Sequence, residues 1–322
     1  MVNQAKTMDV LEFFAESARD VAGKHIVEMG DKYEDFVVVN ADLGGSTRST
    51  GFIEKYPERS FNVGIAEQNL ASFSAGLAHE GLHPLITGMA PFLSMRACEQ
   101  VRTDICYGKL PAILMGTGAG YSAGDMGATH CALEDCAIMG SMNGMTVLEP
   151  GDPWMVKKML DAAYKLKSPV YIRIGRESAE PIYSGDYEYE IGKALVPKEG
   201  EDGAFIVSGV CVQMAMDAAN RLEKEGIRVR VVDMHTIKPL DIEAVRQATL
   251  TGRVVTAQDH NLSGGLTAMV GAAIAELGIT CQFKRLGCPD EFVPIATTPY
   301  LYAKNGYDAE GLYQSMKAMF AN

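Results

Sequence analysis

Three stretches of this sequence hold side chains that could do chemistry. In Arg59–Asn69 an apolar run (Phe61, Val63, Ile65) passes through a glycine turn and meets Glu67, which opens a helix through Leu70, Phe73, Gly76 and Leu77. An acid at a strand end and helix start sits where open α/β folds form their ligand crevice. The same position also suits an acid merely because the helix dipole favours it, by about 0.3–1 kcal/mol. The second stretch is Asn40–Thr47, a polar loop after a short apolar run, where Asp42 either faces a ligand or turns the chain. The third is Gly116–His130, with five glycines between Gly116 and Gly127. A loop of that length within a domain points to function. It is not a dinucleotide fingerprint, because Gly-x-Gly-x-x-Gly begun at Gly116 requires glycine where Tyr121 stands. Cys131 follows His130 directly, but adjacent side chains point apart, which argues against a Cys–His nucleophile pair.

The elements that must position these residues alternate between strand and helix. Three- and four-residue apolar spacing predicts a helix over 9–28 (Leu11, Phe14, Ala18, Val21, Ala22, Ile26). Buried strands are expected at Phe36–Val39, Leu82–Thr87, Ala112–Met115, Thr146–Pro150 and Val170–Ile174. A helix should open near Pro91 and run to Tyr107, and another should be capped by Asp152 with Pro153 at its first position. From Ser178 to Gly203 periodicity gives way to Gly, Pro, Tyr and acids, the composition of a linker. A second unit follows, with strands at Ala204–Val207, Val229–Val232 and Val254–Ala257. Its helices are expected at Met214–Glu225, Asp241–Thr249, Gly264–Leu277 and Tyr307–Phe320. The expected fold is α/β: two consecutive open, mostly parallel sheets flanked by helices, over residues 1–180 and 203–322, joined by a linker at 181–202.

Composition narrows the function class. The 322 residues are 47% apolar with a formal charge of -12, and no basic stripe marks a nucleic-acid partner. No apolar run approaches the roughly 18 residues that span a bilayer, and the first residues lack the apolar core of a signal peptide. Seven cysteines form neither Cys-x-x-Cys nor a zinc-type pair of pairs. Reduced thiols in the cytoplasm are the expectation.

Glu67 in Gly-Ile-Ala-Glu-Gln-Asn, Phe92 in Ala-Pro-Phe-Leu and His130 in Gly-Ala-Thr-His together resemble the transketolase family. The Gly264-Gly265-Leu266 run after Gln258-Asp259-His260 fits as well. The likeness covers nearly all of residues 8–315 and is to the pyrimidine-binding and C-terminal domains, encoded apart from the diphosphate-binding half. It implies thiamine diphosphate as cofactor, with Glu67 sharing a proton with the ring nitrogen of its aminopyrimidine. It further implies Phe92 packed on that ring, Met95 filling the place of a second aromatic, and Asp42 near the cofactor. His130 would lie beside the reacting carbonyl and hydroxyl, and Arg19, Ser46 and Arg176 would hold a sugar phosphate.

Two departures concern specificity: Gly118 and Met126 stand where the family has a histidine and an aspartate. A modified or branched sugar, or another acyl donor, is therefore open as donor. The chain also has no Gly-Asp-Gly, so no metal site is expected in it. Mg2+ and the diphosphate should be held by a partner subunit carrying Gly-Asp-Gly…Asn, in an α2β2 assembly built on a two-fold. The expected activity is two-carbon ketol transfer from a ketose to an aldose, only with that partner. The alternatives are a deoxyxylulose phosphate synthase-like enzyme, a 2-oxo acid dehydrogenase β subunit, and a non-catalytic nucleotide-binding module.

Overall fold

Aromatic and β-branched side chains with no polar alternation leave a strand no face for water. Accordingly β1 (Phe36–Asn40) is buried along its whole length. The computed structural model describes residues 17–179, 181–183 and 187–321. After β1 come β2 (Ser60–Asn62), β3 (His83–Met89), β4 (Ile113–Thr117), β5 (Thr146–Leu148) and β6 (Val170–Ile174). Then follow β7 (Leu195–Lys198), β8 (Gly203–Val207), β9 (Val229–Asp233), β10 (Thr236–Lys238), β11 (Arg253–Asn261) and β12 (Gln282–Cys288).

Two mostly parallel sheets result, ordered β10-β5-β6-β4-β3-β1-β2 and β12-β11-β8-β9-β7. Among the described strands only the edge strands β10 and β7 run antiparallel to their neighbours. In the first sheet the chain leaves β1 for β2 on one side and returns to β3 on the other. Strand order reverses there, and the crevice beyond the carboxyl ends of β1 and β3 is the place such sheets offer a ligand.

The two units are sewn together. β10 belongs to the second unit by sequence yet extends the first sheet, pairing Thr236 with Leu148. The Lys238 ammonium beside it donates to the carbonyls of Gly140 (2.8 Å) and Met142 (2.5 Å). One apolar cluster holds Val39, Ile86 and Leu114 of the first unit together with Ile206, Val254 and Leu266 of the second. At its edge lies the fully buried Arg173, paired with Asp135 (2.8 Å) and Glu149 (2.5 Å). Glu149 in turn accepts from Ser208 (2.6 Å) and Gln258 (2.7 Å) of the second unit, so this buried charge is compensated from both sides.

Several elements depart from the sequence expectation. The helix expected from Pro91 to Tyr107 is wound as π turns over Phe92–Arg96 and Val101–Cys106, with a short α segment between. The helix expected to open with Pro153 starts later, at Met155 with Trp154 at its N-cap, although the Asp152 carboxylate still accepts from the Trp154 and Met155 N–H groups at 3.0 and 2.9 Å. The stretch 181–202 contains β7. β10 and β12 are short or of mixed polarity, and the helices Thr50–Lys55, Asp135–Ser141 and Thr298–Asn305 are too brief for apolar periodicity to mark. The first helix is described from Ala18 to Lys32; Leu11 and Phe14, which the spacing assigns to it, lie outside the described residues. Among these, no helix is long and apolar enough to cross a membrane.

Candidate functional site

Every candidate residue within the described chain follows the carboxyl end of a first-sheet strand or opens a helix leading back from that edge. Asp42 comes after β1, Phe92 and Met95 after β3, the glycine-rich loop and His130 after β4, and Arg176 after β6. Glu67 begins the helix Glu67–His79 that follows β2, where its charge meets the positive helix end.

Glu67 is 1% exposed. Its Oε2 accepts from Arg96 Nη1 at 2.8 Å, while its Oε1 is buried with no hydrogen-bond partner among the described residues. The Arg96 guanidinium also lies over the Phe92 ring, 4.4 Å from its centroid. His130 meets the Phe92 ring edge-on, with centroids 5.4 Å apart and planes at 71°. Thr129 Oγ1 lies 2.8 Å from His130 Nδ1. Glu67, Arg96, Phe92 and His130 thus form one connected group. The π turn at Phe92–Arg96, a winding found often at functional sites, supplies both Phe92 and Arg96. Met95, from the same turn, is exposed.

Asp42 has φ +60°, a conformation disfavoured for non-glycine residues and tolerated best by Asp and Asn. It caps no helix. Asn62 Nδ2 donates to its carboxylate (3.0 Å), and its own N–H donates to Asn62 Oδ1 (3.1 Å). This ties the end of β1 to the end of β2.

Arg19, Ser46 and Arg176 converge at one place. An isolated bridge between Ser17 and Ser178 joins the segments that carry the two arginines, and Arg19 Nη1 donates to the Ser46 carbonyl at 3.5 Å. Burial, then the neighbouring Arg48 and Arg176 cations, push the Arg19 guanidinium below its ordinary pKa. Among the described residues Arg19 Nε and Arg176 Nη1 are buried without hydrogen-bond partners, although Asp125 lies 3.6 Å from the latter. Two adjacent cations with unused donors suit an oxyanion.

The best cluster of metal-ligand atoms among the described residues is Asp135, Cys136 and His260, all buried. His260 Nδ1 donates to the Asn261 carbonyl (2.9 Å), which leaves Nε2 as acceptor, and Nε2 already receives the Ala137 N–H (3.3 Å). Asp135 serves Arg173 and Tyr171. No lone pair of that histidine remains for an ion, and the donor set is not the all-oxygen shell that Mg2+ requires.

The comparisons with known proteins fall on this geometry. Residues 16–181 match the family described as transketolase, pyrimidine binding domain, and residues 192–312 match transketolase, C-terminal domain. The chain belongs to the transketolase family. A transketolase C-terminal section of Methanocaldococcus jannaschii, provisionally so named, is 37% identical over 90% of this chain and 92% of its own length. One subunit of the apulose-4-phosphate transketolase of Phocaeicola vulgatus is 35% identical over 89% of this chain and 92% of its own. A solved split-gene transketolase, an inactive β4 tetramer, superposes with a TM-score of 0.87 at 37% identity, covering 95% of this chain and 98% of that one.

Of the transketolase residues inferred from sequence, Glu67, Phe92 and His130 are brought together, as are Arg19, Ser46 and Arg176. Arg96 escaped the sequence reading as a site residue. Its one signal is a lone arginine four positions after Phe92, which also reads as an ordinary solvated face.

Proposed function

We propose that this chain is the cofactor-activating subunit of a thiamine diphosphate-dependent transketolase that works with a partner chain. The observation that carries the reading is the Glu67 carboxylate. It is buried at the carboxyl edge of the first sheet, with one oxygen lacking any hydrogen-bond partner among the described residues and Arg96 linking it to the Phe92 ring. Such an acid suits a ring nitrogen that must be held and given a proton. Phe92 offers a flat apolar surface for the aminopyrimidine. Asp42, held by Asn62 at the end of β1, would lie near the cofactor, and the exposed Met95 would take the place of a second aromatic beside it.

When bound, thiamine diphosphate supplies the carbanion chemistry that breaks and forms the carbon–carbon bond. The protein's share is positional and electrostatic. Glu67 holds and returns a proton at Oε1. The His130 imidazole, in edge contact with the Phe92 ring, can donate to a substrate oxygen as charge develops there. Arg19 and Arg176, with Ser46, anchor the phosphate of a ketose or aldose. Gly118 and Met126 remove two polar contacts from the substrate side, which favours a modified or branched sugar. The Phocaeicola relative's named substrate, apulose 4-phosphate, is in keeping with that.

The sequence has no Gly-Asp-Gly, and the described residues offer no oxygen shell for Mg2+. Both the metal and the diphosphate are assigned to the partner, an N-terminal transketolase subunit, in an α2β2 assembly. Ile65, Phe73, Met95 and Tyr107 are exposed apolar side chains on or next to the Glu67–His79 helix and the winding from Phe92 to Cys106. Surfaces of that kind mark docking sites. The relative solved as an inactive β4 tetramer supports dependence on a partner. The seven free cysteines agree with a cytoplasmic setting.

The test is Glu67→Gln in the pair reconstituted with the partner and thiamine diphosphate. The variant should fold normally and lose about 100-fold or more in turnover, the scale of general acid–base catalysis. Normal turnover would remove Glu67 from the mechanism.

A further inference from the structure

The run Gln258-Asp259-His260-Asn261 ends β11 in the second unit, and its residues reach back to the loop that carries His130. Both Asp259 oxygens accept the backbone N–H of Tyr121, at 3.0 and 2.9 Å. They also accept the hydroxyls of Tyr302 and Tyr307, each at 2.9 Å. A Cβ on Gly120 would collide with this carboxylate, so glycine is required at the loop entrance. At the exit, the Asn261 N–H donates to the Leu133 carbonyl (2.9 Å), and Arg173 Nη2 bridges the carbonyls of Ala132 and Asp259 (3.1 Å each).

The loop is closed on itself by the Gly120 N–H on the Ala132 carbonyl at 2.9 Å. Further contacts from the second unit fall inside it, among them Asn305 Nδ2 donating to the Tyr121 hydroxyl at 2.9 Å. Thr298 Oγ1 donates to the Tyr121 carbonyl (3.1 Å), and the Ala296 N–H donates to that of Gly124 (3.2 Å).

We propose that Asp259 is a positioning residue, through which the second unit sets where His130 stands against Phe92. This rests on the transketolase reading of the site and gives the C-terminal domain a part in it. A buried carboxylate is costly to keep. The two units already have an apolar seam and the Arg173 network to hold them. What Asp259 adds in the first unit is one peptide N–H, at the loop entrance nine residues before His130. Burial pushes the Asp259 pKa up to about 7, so what fixes that peptide is the acceptor itself, in a dry setting where a hydrogen bond is stronger than in water.

The experiment compares Asp259→Ala, Asp259→Asn and Thr298→Val in the reconstituted pair. It reads kcat, the KM for the ketose, the Kd for thiamine diphosphate, and amide exchange across residues 118–130. Asp259→Ala should lower kcat about tenfold or more and speed exchange in that loop, with the cofactor Kd within about twofold of the parent. Asp259→Asn keeps an acceptor for the Tyr121 N–H and should recover most of kcat.

Equal losses in the Asn and Ala variants would overturn the proposal, since Asp259 would then merely balance Arg173. So would unchanged kcat and exchange in Asp259→Ala, or exchange raised throughout the chain together with lost cofactor affinity. If Asp259→Ala fails to fold, Thr298→Val carries the same expectation for loop exchange and kcat, and parental values there overturn it. Normal turnover in Glu67→Gln would sink the reading of the site itself. Faster exchange confined to residues 118–130 would still stand for the clamp.

Discussion

Glu67 Oε2 takes a charge-assisted bond from Arg96, while the equally buried Oε1 takes none. A buried acceptor left unmade costs about 1–3 kcal/mol, so Arg96 is what makes the free chain's acid tolerable. Because the arginine is half exposed, its worth is screened. Arg96→Met should lower the stability of the isolated chain by about 1 kcal/mol in urea titrations. The same guanidinium covers the Phe92 ring, a surface the proposed heterocycle needs. In the pair, Arg96→Met should therefore tighten thiamine diphosphate binding a few-fold, as read by calorimetry. Weaker binding would mean that Arg96 helps to hold the cofactor. That Glu67, Phe92 and His130 would be neighbours was expected from the family resemblance their motifs carry, and the side chains do meet through Arg96 and the Phe92 ring. Arg96 was not legible, since its role comes from a π turn that no periodicity announces.

At the scale of elements, the buried parallel strands were plain from runs such as Phe36–Val39 and Ala112–Met115, which leave no polar face. The strands that escaped, β7, β10 and β12, are short or of mixed polarity, so their own side chains carry little pattern and pairing alone holds them. β3 begins at His83, whose ring packs on Tyr164 (centroids 4.5 Å apart) and whose Nδ1 faces the Lys167 ammonium at 3.3 Å. Burial first, and the Lys167 charge second, push its pKa down to about 4. The unfolded chain, with an ordinary histidine near pH 6.5, binds a proton in that interval that the native state refuses. This contribution is complete above about pH 6.5 and is lost as pH falls toward 4, up to ~3 kcal/mol. His83→Phe should reduce the stability difference between pH 7 and pH 5 in urea titrations, leaving the share of His235, which burial also pushes down to about 4. An unaltered difference would show that His83 is not a source of it.

The whole molecule depends on Arg173. It is fully buried and shared among Asp135, Glu149 and two carbonyls from both units. Removing it strands two buried carboxylates, and Arg173→Leu should cost about 3–5 kcal/mol, measured by chemical denaturation. With β10 paired into the first sheet and an apolar cluster common to both units, thermal unfolding should show one calorimetric transition. Two resolved transitions would mean that the seam is weaker than its contacts imply. None of this interlocking was legible in the sequence, which presents the units as consecutive. The registers that join them depend on the partner strand.

β10 has one more consequence. It is donated across the boundary, so a polypeptide severed anywhere in 187–194 would yield two fragments each lacking something the other holds: the first sheet its final edge, the second its anchorage. Co-expressed, such halves should reassemble and elute together. Produced separately, the leading half should be the one that aggregates, its β5 rim bared.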